Sequence, residues 1–396
     1  MVGEWLEKRM DEIADFNPRE SIQKGATAKK IAMDKLQPFC RDVPGYEMEA
    51  FSGGTKFRNG DTIMARITPC LENGKTAKVD VLDEEEVGFG STEYIVFRAK
   101  EGNDPDFIYY LVTSPVVREP AIKSMVGSSG RQRVQTDVVQ GLKVRVPDLE
   151  GQQAIASVLK VLDDKIAANR KVNENLTEQA RAIFQAWFID YEPFGGAAPL
   201  DWHPSTLGQI AEMKTDSWSP AKNPDVVVEH YSIPAFDEQH YPVFEIASGI
   251  KSNKYILNSN SVMISKLNPD TKRIWRPMCL SAHPICSTEF IVYEAKKQEQ
   301  KDYIYSILDS VPFLNHLCSH TTGSTNSRQR ATPKSTLDFT LCLPPDSVIE
   351  DFCHIVTPMY DLIASNIVEN QSLAKARDSL LPRLMSGEID VSAVQL

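Results

Sequence analysis

Residues 152–187 read QQAIASVLKVLDDKIAANRKVNENLTEQARAIFQAW. One set of positions in this stretch steps alternately by four and three residues, and most of its members are apolar: Ile155, Leu159, Leu162, Ile166, Asn169, Asn173, Leu176, Ala180, Ile183 and Trp187. This spacing is a heptad pattern, which predicts a long helix that packs along a partner helix.

The partner lies in the same chain, because a shift of 197 residues carries the pattern onto Phe352, Val356, Met359, Ile363, Asn366, Asn370, Leu373, Arg377, Leu380 and Leu384. Nine of the ten positions keep their character, and the exception is Ala180, which becomes Arg377. An asparagine in such a seam costs stability and fixes the register. We therefore predict one specified helix pair, with two ordinary amphipathic surface helices as the alternative. The predicted seam contains Ile155, Leu159, Leu162, Ile166, Asn169, Asn173, Leu176, Met359, Ile363, Asn366, Asn370 and Leu373.

The same repeat continues outside the helices. Asp61–Pro69 matches Ser261–Pro269, Ser91–Val96 matches Ser287–Val292, and the loop from Gly127 to Arg133 matches the loop from Gly323 to Arg330. The separation drifts only between 196 and 200 residues. A period of this length indicates a duplicated domain rather than a solenoid.

Each half therefore has the same plan, which is α+β. Short β-like runs are Thr62–Ile67, Glu93–Arg98, Val262–Leu267 and Glu289–Tyr293, and helical segments are Pro105–Thr113 and Lys301–Leu308. We predict two repeated globular domains joined by two long helices that form an antiparallel coiled coil with pseudo-two-fold symmetry. Two independent domains on flexible linkers are the alternative.

The predicted boundaries are residues 1–148 for the first globular domain, 149–192 for the central helix, 193–200 for a linker, 201–346 for the second globular domain, 347–387 for the C-terminal helix and 388–396 for a tail. Asp148 is the expected N-cap of the first long helix, and Ser347 with Glu350 forms an expected capping box for the second. Pro358 is expected to kink the second helix or mark its true start, and Pro382 to end it.

Composition excludes several classes of protein. The seven cysteines of the 396 residues form no CxxC pair, which favours reduced thiols in a cytoplasmic protein. No secretory signal or membrane-length apolar run is recognisable. The net charge of −11 argues by itself against nucleic acid, although basic residues are clustered locally.

No active-site motif is present in the sequence. The phosphate loop GxxxxGK[ST], the zinc motif HExxH and the nucleophile motif GxSxG are all missing. All seven histidines lie in the second half, but without the spacing of a metal site. We therefore expect no catalytic residue and no metal ligand in this chain.

Basic residues supply the candidate contacts to DNA. Arg131, Arg133, Arg328 and Arg330 follow small residues in the two repeated loops, where a backbone could approach a phosphate; the alternative is a capped loop that enters the last strand. The segment Thr271–Met278 differs from its counterpart Leu71–Lys78 and contains Lys272, Arg273 and Arg276. Arginine commonly reads guanine edges, so this segment is a candidate base reader, with a solvated basic loop as the alternative. Further candidates are Lys56, Arg58, Arg66, Lys254 and Lys266.

Several segments resemble a known family. Leu142–Gln153 with Ile155–Ile166, then Ala182–Phe194, and finally Ser379–Ile389 resemble the beginning and ends of the conserved helices in the specificity subunit of Type I restriction–modification enzymes. Lys56–Asp61 resembles a turn of their recognition domains. The resemblance covers essentially the whole chain, and the second half departs from it near Cys353 and Pro358.

The resemblance implies a division of labour. Each globular domain would be a target recognition domain that reads one half of a split sequence in double-stranded DNA, and the helices would act as a ruler between the half-sites. Two DNA adenine methyltransferase (modification) subunits would bind S-adenosylmethionine, and restriction/translocase subunits would bring ATP and magnesium. This chain would not be an enzyme. A scaffold that uses the same coiled coil without reading DNA is the alternative, and the letters of the target are not given by the sequence.

Overall fold

The computed structural model of the chain describes residues 5–322 and 329–391. The chain forms two compact units: unit 1 contains residues 1–168 and 370–396, and unit 2 contains residues 169–369. Both boundaries fall within long helices. Each unit therefore combines one globular part with a segment of each long helix.

The described part of unit 1 has ten strands: β1 (Leu6–Arg9), β2 (Ala14–Phe16), β3 (Thr27–Ile31), β4 (Glu47–Ala50), β5 (Thr55–Phe57), β6 (Thr62–Ala65), β7 (Thr76–Lys78), β8 (Gly88–Gly90), β9 (Tyr94–Ala99) and β10 (Lys143–Val146). Its helices are α1 (Met10–Ile13), α2 (Pro105–Thr113), α3 (Pro115–Lys123) and α4 (Thr136–Gln140), followed by the long helix α5 (Leu149–Phe188), which continues into unit 2. One sheet has the order β2-β9-β6-β7 and a second has the order β4-β3-β8-β5, while β1 pairs with β10.

The described part of unit 2 has the strands β11 (His203–Thr206), β12 (Ala211–Lys214), β13 (Ser217–Trp218), β14 (Val227–Tyr231), β15 (Val243–Ile246), β16 (Lys254–Ile256), β17 (Ser261–Ser265), β18 (Ile274–Trp275), β19 (Pro284–Cys286), β20 (Phe290–Ala295), β21 (Thr321–Thr322), β22 (Arg330–Ala331) and β23 (Thr340–Leu343). Its helices are α6 (Leu207–Ile210), α7 (Ile233–Gln239), α8 (Lys301–Asp309), α9 (Val311–Ser319) and α10 (Pro333–Thr336), followed by the second long helix α11 (Asp346–Met385). The larger sheets have the orders β12-β20-β17-β18 and β13-β16-β19-β14-β15.

The sheet orders confirm the duplication. Strands β12, β20, β17 and β18 repeat β2, β9, β6 and β7, and a parallel pair occurs in each second sheet, β3 with β8 and β14 with β19. Both units are mixed α and β, as the sequence predicts.

The central strand of each unit separates two apolar cores. In β6, Met64 belongs to the core that contains α2, whereas its neighbour Ile63 belongs to the core on the other face. In β17, Ile264 and Met263 divide in the same way. Successive side chains of a strand point to opposite faces, so these continuous apolar runs form strands that are buried on both sides.

The two long helices run antiparallel within each unit. In unit 1, Ile155 and Leu384 share the core, and Asp163 pairs with Arg377 further along. In unit 2, Asn169 donates to Glu369 and Asn366 donates to Asn173, so residue numbers again rise in one helix as they fall in the other. The predicted coiled-coil pairing is confirmed.

The first long helix begins as predicted. The Asp148 carboxylate accepts a hydrogen bond from the Gly151 backbone N–H at 2.9 Å, which is the geometry of an N-cap. The helix ends at Phe188.

The second long helix differs from its prediction in three ways. It begins at Asp346, so Ser347 lies inside the first turn, and it continues without interruption through Pro358. Phe352 and Val356, which precede Pro358, are fully buried, and this burial outweighs the cost of one proline. Pro382 does not end the helix, which continues to Met385.

Candidate nucleic-acid interface

A loop junction with the same backbone hydrogen bonds occurs in both units. In unit 1, Arg66 N–H donates to the Glu93 carbonyl at 2.9 Å, and Val134 N–H donates to the Arg66 carbonyl at 2.9 Å. In unit 2, Lys266 N–H donates to the Glu289 carbonyl at 2.9 Å, and Ala331 N–H donates to the Lys266 carbonyl at 2.8 Å. The end of the central strand, the start of the neighbouring strand and the repeated loop therefore meet at one place in each unit.

Charged side chains collect at these junctions. In unit 1, Nη2 of Arg133 lies 2.6 Å from a carboxylate oxygen of Glu93, and its Nε lies 2.9 Å from both oxygens. In unit 2, Arg330 contacts Glu289 at 3.1 and 3.3 Å. The hydrogen bond from Arg133 is the main reason that the pKa of Glu93 is lowered, so this carboxylate is ionised at neutral pH.

We call each set the basic junction. The unit 1 basic junction consists of Arg66, Glu93, Arg131 and Arg133, and the unit 2 basic junction consists of Lys266, Glu289 and Arg330. Arg131 is exposed and has no ion-pair partner among the described residues. Cations outnumber carboxylates in both sets, so each keeps a positive charge that can contact phosphate.

The two arginines bound to glutamate have a restricted orientation. The side chains of Arg133 and Arg330 are 46% and 48% exposed, so their outer edges remain accessible. A guanidinium group presents donors along more than one edge, and a carboxylate on one edge leaves donors free on the others. Arg66 is less accessible, because its Nη2 donates to the Val134 carbonyl at 3.3 Å and its Nε is buried without a partner.

The basic side chains of the predicted base-reading segment in unit 2 form ion pairs with other residues of the same unit. Arg273 contacts Asp237 at 2.6 and 2.9 Å, and Lys272 contacts Asp309 at 2.6 Å. Arg276 donates to Asp302 at 2.6 Å and also contacts a long-helix carboxylate. The sequence interpretation omitted these partners, and the structure argues against Lys272, Arg273 and Arg276 as free base readers.

Other candidates have different surroundings. Lys254 is only 6% exposed, and its ammonium donates to the carbonyl and hydroxyl of Ser252, which argues against contact with DNA. Arg58 donates to Glu20 at 2.7 Å and to the Glu85 carbonyl at 2.6 Å, so it stabilises a turn. Lys56 lies over the ring of Phe51 at 5.1 Å and remains a candidate contact.

Two further basic residues are Arg328 and Lys24. Arg328 lies outside the described residues. Lys24 is exposed beside Gly25 and Ala26, whose backbones hydrogen-bond with Phe51, and no repeat or motif in the sequence singles it out.

Two other types of site are absent from the described residues. No group of three or more histidine, cysteine, aspartate or glutamate side chains there has the geometry to hold a metal ion. None of the helices in the described ranges combines the length and apolar character needed to cross a membrane.

Several known proteins are similar to this chain. Residues 3–178 match the family described as the Type I restriction modification DNA specificity domain. The MjaIX specificity subunit of a Type I restriction enzyme from Methanocaldococcus jannaschii is 26% identical over 312 residues, which cover 74% of this chain and 71% of that protein. The HindI specificity subunit from Haemophilus influenzae is 24% identical over 426 residues, which cover 88% of this chain and 89% of that protein. The first part of this chain is therefore similar to the Type I restriction modification DNA specificity domain, and most of its length is similar to Type I specificity subunits.

A solved protein has the same fold. The crystal structure of the S subunit of a Type I restriction–modification system from M. genitalium matches with a TM-score of 0.57 and 15% sequence identity, over 96% of both chains. This match shows that the fold is shared.

Proposed function

We propose that this chain is the DNA sequence-specificity subunit of a Type I restriction–modification enzyme, and that each globular part reads one half of a split target. The observation that carries the proposal is the duplicated basic junction, at the same strand ends of two globular parts with the same sheet order. The family match favours this function over the scaffold alternative.

The basic junctions are suited to contacts with the DNA backbone. Repeated features of the two units serve a shared requirement, and phosphate is common to both half-sites, whereas base contacts must differ. Arg131, Arg133, Lys266 and Arg330 are the side chains we assign to this role, with Lys56 as a further contact in unit 1. Because the net charge of this chain is −11, partner subunits would provide much of the remaining phosphate contact.

The helix pair would set the number of base pairs between the half-sites and carry the partners. Those partners are two DNA adenine methyltransferase subunits, which bind S-adenosylmethionine, and restriction/translocase subunits, which use ATP and magnesium. The chain itself would be non-catalytic and cytoplasmic.

A methylation map tests the proposal. The chain is co-expressed with the modification subunit encoded beside it, and the host DNA is sequenced by a method that detects N6-methyladenine. We expect one new methylated motif with two defined parts and a fixed gap. An assembled complex that binds S-adenosylmethionine but produces no new motif would overturn the proposal.

Charge reversal tests the basic junctions. Arg131→Glu and Arg330→Glu should weaken binding to DNA and reduce the salt dependence of the affinity, by about one released ion for each phosphate that the variant no longer neutralises. Lys123→Glu is the matched control, because Lys123 is an exposed cation of unit 1 outside the basic junction. If the reversed variants bind DNA like the control, the basic junctions do not contact phosphate.

A further inference from the structure

One short helix of each globular part packs against the long helices of its own unit. In unit 1, Phe107 of α2 shares the apolar core with Ile155 and Leu159 of α5. In unit 2, the rings of Tyr303 in α8 and Phe352 in α11 lie 6.1 Å apart. This packing brings polar side chains of the sheet, the short helix and the long helix together in each unit.

An acidic residue near the start of the short helix is the first shared position. Asp106 pairs with Lys78 at the end of β7, and its other oxygen lies 3.9 Å from Lys160 of the long helix. In unit 2, Asp302 occupies the matching position, 196 residues after Asp106.

Asp302 has the corresponding two neighbours. It accepts from Arg276, which follows β18, at 2.6 Å, and from the Thr357 hydroxyl of the long helix at 2.7 Å. Thr357 follows Lys160 by 197 residues. Arg276 lies one residue after β18, at the position in the strand pairing that corresponds to Lys78 in β7. Each acid therefore connects a cation at the end of a sheet strand to the long helix.

A second pair of positions repeats one turn further along. The Tyr110 hydroxyl donates to the Asp163 carboxylate at 2.8 Å in unit 1. In unit 2, the hydroxyls of Ser306 and Tyr360 hydrogen-bond at 3.0 Å. Ser306 follows Tyr110 by 196 residues and Tyr360 follows Asp163 by 197, so the contact is kept although both side chains have changed.

A third repeated position is an exposed carboxylate on the long helix. Asp164 contacts Arg41 at 2.6 Å, and Asp361, 197 residues later, contacts Arg276 at 2.8 Å. We call these three positions and their partners the joint of each unit. In unit 2 the joint contains Arg276, Asp302, Ser306, Thr357, Tyr360 and Asp361.

We infer that the joints are positioning elements for the gap between the half-sites, and that Arg276 and Asp361 act in unit 2 by holding the globular part at a fixed angle on its long-helix segments. This inference rests on the proposed function. A half-site reader that can tilt on its helix accepts more than one distance to the other half-site. The joint thus adds to gap selection without touching DNA.

The test uses the complex of the full chain with its modification subunits. Methyl transfer from S-adenosylmethionine is measured on duplexes that carry both half-sites from the methylation map, with the natural gap or a gap one base pair shorter or longer. We expect Arg276→Gln to raise the rate on altered gaps relative to the natural gap by about tenfold, the effect of losing a hydrogen bond to a charged group. Asp361→Asn should raise this ratio by about threefold, because an exposed ion pair contributes less. Half-site substitutions should still be rejected.

Two controls separate positioning from a loss of stability. Asp351→Asn changes an exposed carboxylate on the same long helix outside the joint and should leave the gap preference unchanged. Arg276→Lys keeps the charge but not the two-nitrogen contact to Asp302, so it should recover only part of the natural preference. If Arg276→Gln fails to fold, Asp361→Asn decides the matter, because its side chain is 62% exposed and the Arg276–Asp302 contact remains.

Two results would overturn the inference. One is an unchanged gap preference in assembled complexes of both variants. The other is an equal loss of rate at every gap, which a purely structural role predicts. Failure of the proposed function is a different result, because the unaltered complex would then methylate no split site.

Discussion

Equivalent positions in the helix pairs of unit 1 and unit 2 are occupied by different types of side chain. In unit 1, Asp163 and Arg377 form a buried ion pair at 2.6 Å, and their side chains are 4% and 10% exposed. The matching residues of unit 2 are Tyr360 and Ala180, which belong to one apolar core. A charged pair in one unit corresponds to a large and a small residue of one apolar core in the other, so we interpret the one mismatch in the heptad repeat as half of a compensated exchange.

This comparison indicates that neither chemistry is required for the fold. Buried ion pairs are often no better for stability than well-packed apolar residues, although removal of one partner alone is costly. Each unit has therefore retained a different set of mutually compatible side chains at these positions.

The largest expected effect comes from removing one partner of the buried ion pair in unit 1. Arg377→Ala leaves the Asp163 carboxylate buried with Tyr110 as its main donor, and we expect a loss of about 3–5 kcal/mol in the free energy of unfolding. The triple variant Tyr110→Ser, Asp163→Tyr and Arg377→Ala transfers the unit 2 side chains and should recover most of that loss. Denaturant unfolding of the full chain measures both variants, and a triple variant no more stable than Arg377→Ala would contradict the exchange.

Smaller losses of stability are expected when the acidic residues of the two joints, Asp302 and Asp106, are neutralised. Asp302 is buried, and although burial raises its pKa, the hydrogen bond and charge of Arg276 lower the pKa by more, so the net pKa is lowered. Asp302→Asn should lower the free energy of unfolding by about 3 kcal/mol at neutral pH. Asp106→Asn should lower it by about 1 kcal/mol, because the contact between Asp106 and the long helix is 3.9 Å long.

The pH dependence follows from the lowered pKa of Asp302. The stabilisation by this carboxylate is complete above the pKa of an unfolded aspartate, about 3.9, and is lost as the pH falls through the lower pKa of the folded state. The difference in unfolding free energy between the wild type and Asp302→Asn should therefore shrink below about pH 4. A difference that stays constant into acid would show that Asp302 is not a stabilising ion.

Removal of one hydroxyl from each joint gives a closer comparison. Tyr110→Phe removes a donor to the buried Asp163 carboxylate, and we expect a loss of about 2 kcal/mol. Tyr360→Phe removes a neutral hydrogen bond to Ser306 and should cost about 1 kcal/mol. Thermal unfolding of the two variants tests whether Tyr110→Phe loses more stability than Tyr360→Phe. Equal losses of stability would mean that the charge on Asp163 does not strengthen its hydrogen bond.

Local patterns in the sequence predicted much of the fold. The heptad spacing predicted the paired helices, and the repeated runs predicted β6 and β17, because periodicity reflects burial that neighbouring residues share. Asp148 was identifiable as an N-cap because capping is a contact over three residues. The span of the second long helix through Pro358 was missed, since it depends on tertiary burial of the preceding turns.

The candidate site was harder to predict because its pairings are distant in sequence. Arg276 was interpreted as a base reader, but its partner Asp302 lies 26 residues away, and the partner of Lys272 lies 37 residues away. Composition and spacing do not reveal such pairs. The internal repeat did contain one usable signal, because Asp302 repeats Asp106, and a repeated acid beside a repeated cation predicts an internal ion pair.

The smallest expected effect concerns the asparagines of the helix seam in unit 2. Asn366 donates to Asn173 at 2.8 Å, and Asn173 donates to the Ile363 carbonyl at 3.4 Å. A polar pair in a seam lowers stability but restricts the register, because other registers would leave buried amides without partners. Asn173→Leu with Asn366→Leu should therefore raise the unfolding free energy by up to about 1 kcal/mol while broadening the methylated gap. Asn175→Leu, outside the seam on the same helix, should produce neither change. A lower stability in the double variant would show that these amides hold the helices together rather than select their register.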